Sequence, residues 1–276
     1  MIRYGRRARG LALALCAFTT FAGTPASAQL AVDRVDLTLV PRSAAQQSAV
    51  ITVTNTSDRP VAATVYGADW DRDDTGANRF YELGTLPRSC GATIGVFPRT
   101  VSLPPHSTQA LQVMAQSADT VATTCWSIIF IETRLPPPAG ESRQLSYVIR
   151  TGVKVYLVPA GLEADGLVED MLVHSVPEPI AAPASMPPSH ATSRLEVVFR
   201  NSGATPLLAR GSVEVRRPDN SLAATLPIEE FPTLPGVRRR LLLDLPALPA
   251  GRYIALALID FGGAAIVAGQ RELEVP

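Results

Sequence analysis

The sequence predicts an all-β protein built as two β-sandwiches in tandem, and three observations lead there. Apolar residues recur with period two over short runs: Leu195, Val197 and Phe199 share one face, with Glu196, Val198 and Arg200 on the other. The runs are parted by turn clusters, and proline (24) outnumbers glycine (19) with both spread along the chain. No segment keeps a 3.6-residue period between helix caps.

Composition narrows the function classes. The 276 residues are 46% hydrophobic and 18% charged, ordinary for one or two globular domains. The formal net charge is zero, which excludes a polybasic nucleic-acid binder and an acidic disordered tail as the main theme. Three cysteines and three histidines leave little material for a multi-ligand metal site.

Residues 1–28 read as a secretory signal peptide. Arg3, Arg6, Arg7 and Arg9 precede an apolar run from Leu11 to Ala22, and Ala26-Ser27-Ala28 is a small-residue cleavage site that predicts a mature start at Gln29. The run is too short for a bilayer span. Cys16 follows Leu15, a poor lipoprotein context, and Arg6-Arg7 supports twin-arginine export only weakly. No later stretch approaches ~18 apolar residues, so the mature chain is expected to be soluble. Removing the four leader arginines leaves 21 basic side chains against 25 acidic, a net charge of −4. The mature cysteines are Cys90 and Cys125. Two cysteines in an exported chain most often pair, and the loop they close is expected to contribute about 3–4 kcal/mol. A redox or metal pair is the weaker alternative, because the spacing is not C-x-x-C.

The elements follow in order. Ala49 to Thr54 is β-branched and ends in the turn cluster Asn55-Thr56-Ser57-Asp58-Arg59-Pro60. Val61 to Trp70 resumes strand character, and Asp71 to Asn78 reads as a polar loop. Gly95 to Leu103 is extended and punctuated by proline, and Pro104-Pro105-His106-Ser107 turns the chain. Leu111 and Val113 alternate with Gln112. Trp126 to Thr133 reads as a buried strand stopped by Pro136-Pro137-Pro138, and Leu145 to Pro159 as a long strand. Past Gly161 and Gly166, Leu167 to Val173 opens a second unit. Pro177 to Pro188 is a proline-rich extended loop, then come the run at Leu195 and another at Val213 and Val215. Val237, Leu241, Leu243 and Leu245 share a face with Arg239, while Arg238, Arg240 and Asp244 face away. Tyr253 to Asp260 and a run ending at Val275 complete about seven short strands. The expected division is a sandwich over 29–160 and a second over 161–276, each long enough for its own core.

Catalytic signatures are missing from the sequence. There is no G-x-S-x-G, H-E-x-x-H or phosphate-cradling glycine loop, and His106, His174 and His190 stand isolated. Asp69, Asp71 and Asp73 have calcium-loop spacing, but Asp74 stands where glycine is needed and Phe80 where glutamate is, so solvated loop charges are expected. Arg238-Arg239-Arg240 is a short basic run on an alternating strand. No nucleophile, base and oxyanion site assembles. The expectation is a non-enzyme with a binding or assembly role, without cofactor or metal, nucleic acid or small-molecule substrate.

The order of features over residues 30–160 resembles the PapD-like periplasmic chaperones of pilus and fimbria assembly. The likeness runs through Ile51-Thr52-Val53-Thr54-Asn55 to Pro60, the Pro98 to Leu103-Pro104 segment, Leu135-Pro136-Pro137 and the strand Leu145 to Pro159. It implies two immunoglobulin-like sandwiches, a periplasmic location, pilus or fimbrial subunits as partners and an outer-membrane usher as a further one. It also implies that the long strand lends alternating apolar residues, here Leu145, Tyr147 and Ile149, to a subunit that lacks a strand. Ordinary core packing explains the same alternation. The resemblance further implies that Lys154 anchors the subunit's terminal carboxylate. The arginine of that basic pair is matched less securely: ungapped counting from Asn55 places Leu39 there, and Arg34 and Arg42 are nearby but out of register. A structural or adhesive two-domain envelope protein is the alternative, since a fold does not fix a function.

Overall fold

The computed structural model describes residues 30–42, 46–116, 121–135, 147–175 and 193–275. The expected leader, Leu145, His190 and the whole proline-rich loop from Pro177 to Pro188 lie outside them. The described residues form seventeen strands and no helix.

The first sandwich uses β1 (Leu30–Val32), β2 (Asp36–Leu39), β3 (Ser48–Asn55), β4 (Val61–Arg72), β5 (Asn78–Tyr81), β6 (Ile94–Phe97), β7 (Thr100–Leu103), β8 (Thr108–Ala115), β9 (Cys125–Leu135) and β10 (Tyr147–Leu157). Sheet I runs β1-β3-β8-β6; sheet II runs β2-β10-β9-β4-β5, with β7 also on β4. Every pairing between named strands is antiparallel except β10 with β2, and the isolated bridge of Ser89 to Trp126 is also parallel. Period-two alternation sends Ile51, Val53, Val65, Leu111, Ile131 and Val155 into one shared core.

The second sandwich uses β11 (Gly166–Ser175), β12 (Ser193–Asn201), β13 (Leu207–Arg216), β14 (Leu222–Thr233), β15 (Arg238–Asp244), β16 (Gly251–Asp260) and β17 (Val267–Val275). Sheet III is β11-β12-β15 and sheet IV is β14-β13-β16-β17, closed over Leu195, Val197, Phe199, Val213 and Ile259. Stretch 222–233 forms β14 although it carries Pro227 and Pro232. The strand is an edge, where a missing N–H breaks no ladder on the outer side.

One device organises both sandwiches. Asn55 and Asn201 end a strand five residues before Pro60 and Pro206, and both are fully buried. Asn55 donates to the carbonyls of Arg59, Leu103 and Pro104 and accepts from Ser57; Asn201 donates to Thr205 and Thr233 and accepts from Gly203 N. A buried amide this well satisfied replaces the lost ladder where the chain leaves the sheet.

The sandwiches meet on the outer face of sheet II. Trp70, Trp126, Ile128 and Phe130 pack with Leu234, from the turn after β14. Arg72 Nη1 donates to Pro232 O at 3.1 Å, Thr124 Oγ1 to Ala204 O at 2.6 Å, and Arg240 N to Asp74 O at 2.7 Å. Arg239 reaches under the turn at Gly76, whose φ of +92° suits glycine; a Cβ there would fall 1.9 Å from Arg239 Nη1.

Candidate functional site

The site grows from β10. Its whole length pairs with β9, but β2 covers only Lys154 to Leu157. From Tyr147 to Val153 the opposite edge has no ladder partner among the described residues. Tyr147, Ile149, Thr151, Val153, Val155 and Leu157 share one face. Val153, Val155 and Leu157 are fully buried, Ile149 is half-buried, and Tyr147 is 53% exposed. One alternating strand thus passes from core to open edge.

The other face of β10 carries Val148, Arg150, Gly152, Lys154 and Tyr156 over sheet II. Arg150 Nε and Tyr66 Oη both donate to Glu132 Oε2 at 2.8 Å, and Arg150 lies 6.0 Å from the Phe130 ring. The Arg150 bond, with that of Tyr66, holds the Glu132 carboxyl below its usual range. Burial, then the bond to Glu132, pushes the Tyr66 phenol up. Gly152 leaves room that the neighbours fill: a Cβ there would fall 2.7 Å from Ile128 Cδ1.

Lys154 Nζ lies 5.0 Å from the centroid of Trp70, a fully buried ring whose Nε1 donates to Ser127 O. Arg72 Cζ lies 5.7 Å from the same centroid. Burial, followed by the charge of Arg72, lowers the Lys154 pKa, and Asp36 opposes the shift. Burial also pushes the Tyr156 phenol up strongly. Asp36 is the register partner of Lys154, while Leu39 pairs with Leu157 and is buried in the core. The position counted for an arginine therefore holds a core leucine.

Cys90 and Cys125 form a disulfide. It ties the segment before β6 to the start of β9, beside a backbone bond from Trp126 N to Arg88 O. The expectation of solvated loop charges fails at Asp69. This residue lies on the core-facing side of β4, fully buried, and accepts from Leu86 N, Ser89 Oγ and Ser127 Oγ. Three donors replace its hydration, which spacing by itself does not disclose. Asp73 keeps a turn role, accepting from Thr75 and Ala77 N. His106 meets Asp58 and His174 meets Glu196, each at 2.8 Å. No cluster of three metal-ligating side chains occurs among the described residues.

Arg72 escapes the sequence reading, although it is two residues from Trp70 and so shares its face, whereas the sequence already places Arg239 on the apolar face of its strand with Val237 and Leu241.

No family model matches the chain, and no curated protein matches it in sequence. Solved structures do match. A class 5 fimbriae chaperone, CfaA, superposes with a TM-score of 0.50 at 10% identity, covering 90% of this chain and 99% of its own. A chain from a structure of the chaperone–tip-adhesin complex of CFA/I fimbriae biogenesis gives 0.51 at 9% identity, covering 90% and 100%. The fold is that of the fimbrial chaperones. The open edge of β10 and the two cations on Trp70 belong to the same sheet, sheet II.

Proposed function

We propose that the protein is a non-enzymatic periplasmic chaperone that binds and caps a pilus or fimbrial subunit by donor-strand complementation, ahead of assembly at an outer-membrane usher. The observation that carries this is the edge of β10 from Tyr147 to Val153, which has no ladder partner among the described residues and continues into a buried stretch of the same apolar face. Two physical consequences support it. An added strand gains backbone hydrogen bonds along that edge, and alternate side chains fix its register. Covering Ile149 and its neighbours contributes about 1.5–3 kcal/mol per fully buried side chain. An exposed apolar edge without a partner is an aggregation hazard, so its retention fits a client that covers it. Leu145 belongs to the same proposed set by parity. Lys154 supplies a cation for the client's terminal carboxylate, because a half-buried ammonium without an anion is costly. The leader and the disulfide fit an oxidising periplasm.

The test is capture from the periplasm of the source bacterium, with hydrogen exchange on the captured complex. Amides between Tyr147 and Val153 should become protected. The Tyr147→Asp/Ile149→Asp variant should stay folded and capture nothing. Undiminished capture by that folded variant overturns strand donation and favours an envelope structural or adhesive role.

A further inference from the structure

The first sandwich has a gap along one border. β6 pairs with β8 alone, and β4 carries β7 as far as Thr64 and β5 only from Asp69. Between those two partners the outer edge of β4 has one backbone bond among the described residues, from Val65 N to Arg99 O at 2.8 Å. A cavity of about 220 Å³ lies at this gap, lined by Val65 and Ile129 from the buried core and by the half-buried Ile94 and Val96. Gly67 and Gly91 also line it, and Leu83 lies against both. A Cβ would fall 3.3 Å from Leu83 Cδ1 at Gly67 and 2.5 Å from Leu83 Cγ at Gly91. Neither glycine has a positive φ, so space, not backbone angle, keeps a side chain out. A glycine inside a strand weakens it and marks the close approach of another group. Leu83 borders the cavity and is 46% exposed, so it stands where cavity meets solvent. The one charged residue of the lining is Arg99, itself exposed. Its guanidinium makes no hydrogen bond or ion pair among the described residues, whereas Arg79, Arg150 and Arg238 each hold an acid. The other polar side chains of the lining are engaged: Ser127 Oγ accepts from Cys90 N at 3.2 Å, and Tyr66 Oη donates to Glu132. Parity turns the Gly67 N–H the same way as that of Val65, out of the ladder with β9 and toward the gap.

We propose that this cavity binds a medium-chain aliphatic carboxylate, with its tail among Val65, Val96 and Ile129 and its head on the Arg99 guanidinium. The lining selects that class. Walls of aliphatic side chains with their polar neighbours already engaged favour a hydrocarbon tail. An apolar void of about 150 Å³ stays dry and takes up a benzene, so this larger one has room for a chain of about six to eight carbons. A guanidinium without an acid favours a carboxylate head over an alcohol or an amine, because its fork of N–H donors matches two carboxylate oxygens. β4 and β10 lie on opposite sides of β9 in sheet II, so the cavity is separate from the open edge of β10 and stands apart from the chaperone reading.

The probe is sodium octanoate, kept below its micelle concentration and titrated at constant ionic strength into the isotope-labelled protein, with amide shifts followed by NMR. The amides of Gly67, Gly91 and Val96 should shift together and saturate, while those of Tyr147 to Val153 stay still. Arg99→Gln, a change at an exposed side chain, should weaken octanoate about tenfold, and Arg99→Lys should recover part of the loss. The wild type should bind 1-octanol about as weakly as Arg99→Gln binds octanoate. Gly67→Val fills the void with a residue that suits a strand, and should abolish the response. Melting curves show whether that variant folds; where it does not, Arg99→Gln decides. No saturable shift in the wild type, shifts spread over both sandwiches, equal binding of octanol and octanoate, or undiminished octanoate binding by folded Arg99→Gln or Gly67→Val each overturns the proposal.

Discussion

Two edge strands of this molecule are built to opposite specifications. β14 borders sheet IV and is defended along its length. Pro227 and Pro232 remove two N–H groups, and a bulge opposite Arg210 sets Glu229 and Glu230 out in solvent. These are the devices by which natural sheets refuse further strands. β10 between Tyr147 and Val153 has none of them. It carries no proline and no acid, its one charged residue, Arg150, is bound to Glu132, and Tyr147 and Val148 are exposed. Both edges belong to the same chain in the same solvent. The difference teaches that edges of one molecule can be built differently: β14 carries residues that refuse a further strand, and the described β10 edge from Tyr147 to Val153 carries none.

The contrast is sharpest within β10 itself. Leu157→Ala, at the buried end, should cost about 2–5 kcal/mol, while Tyr147→Ala, at the exposed end, should cost under about 1 kcal/mol, both read from urea unfolding. Equal losses would mean that Tyr147 is core and the edge is not free. Next in size is the disulfide. Cys90→Ser/Cys125→Ser should lose about 2–4 kcal/mol. Thiol titration of the native protein should find no free thiol among the mature cysteines.

Removing the guards of β14 tests the other half of the comparison. Pro227→Thr, Glu230→Val and Pro232→Thr together should leave the monomer folded yet raise self-association in sedimentation velocity, and an unchanged monomer would show that these residues guard nothing. The smallest effect is alkaline. Lys154 has a lowered pKa in the folded state, so the unfolded chain binds more protons between the folded value and the ordinary value near 10.5. Stability contributed by this group therefore rises with pH through that window. The cost of the buried charge is present in full below the window and absent above it. Lys154→Met should be the more stable variant at pH 8, with its advantage shrinking toward pH 10.5; a constant gap would place the ammonium in bulk water.

Much of the fold was legible. Alternation at Ala49–Thr54, Leu195–Phe199 and Val237–Leu245 located strands and their inner faces, because a pleated strand turns every second side chain the same way. β14 was obscured by its prolines, which argue against a strand except at an edge, and a sequence does not say where the edges fall. Asp69 looked like one of three loop acids, and only the approach of Leu86, Ser89 and Ser127 makes it a core residue. Lys154 could be singled out as a charge among apolar neighbours. Its company could not: Trp70 and Arg72 are more than eighty positions away and arrive through the pairing of β4 with β9 and of β9 with β10.

The sequence by itself determined the strand period, the faces and the paired cysteines, since each depends on local spacing or on the count of one residue type. Tertiary structure decided which stretch of an alternating face is core and which is open. β10 alternates from end to end, yet β2 runs beside it for four residues only, Asp36 to Leu39. Where that short strand stops, the outer backbone groups of β10 have no ladder partner among the described residues, and the same apolar pattern changes from filling a core to offering an edge. Alternation records which way side chains point; whether anything lies beside the strand depends on a neighbour more than a hundred residues earlier in the chain.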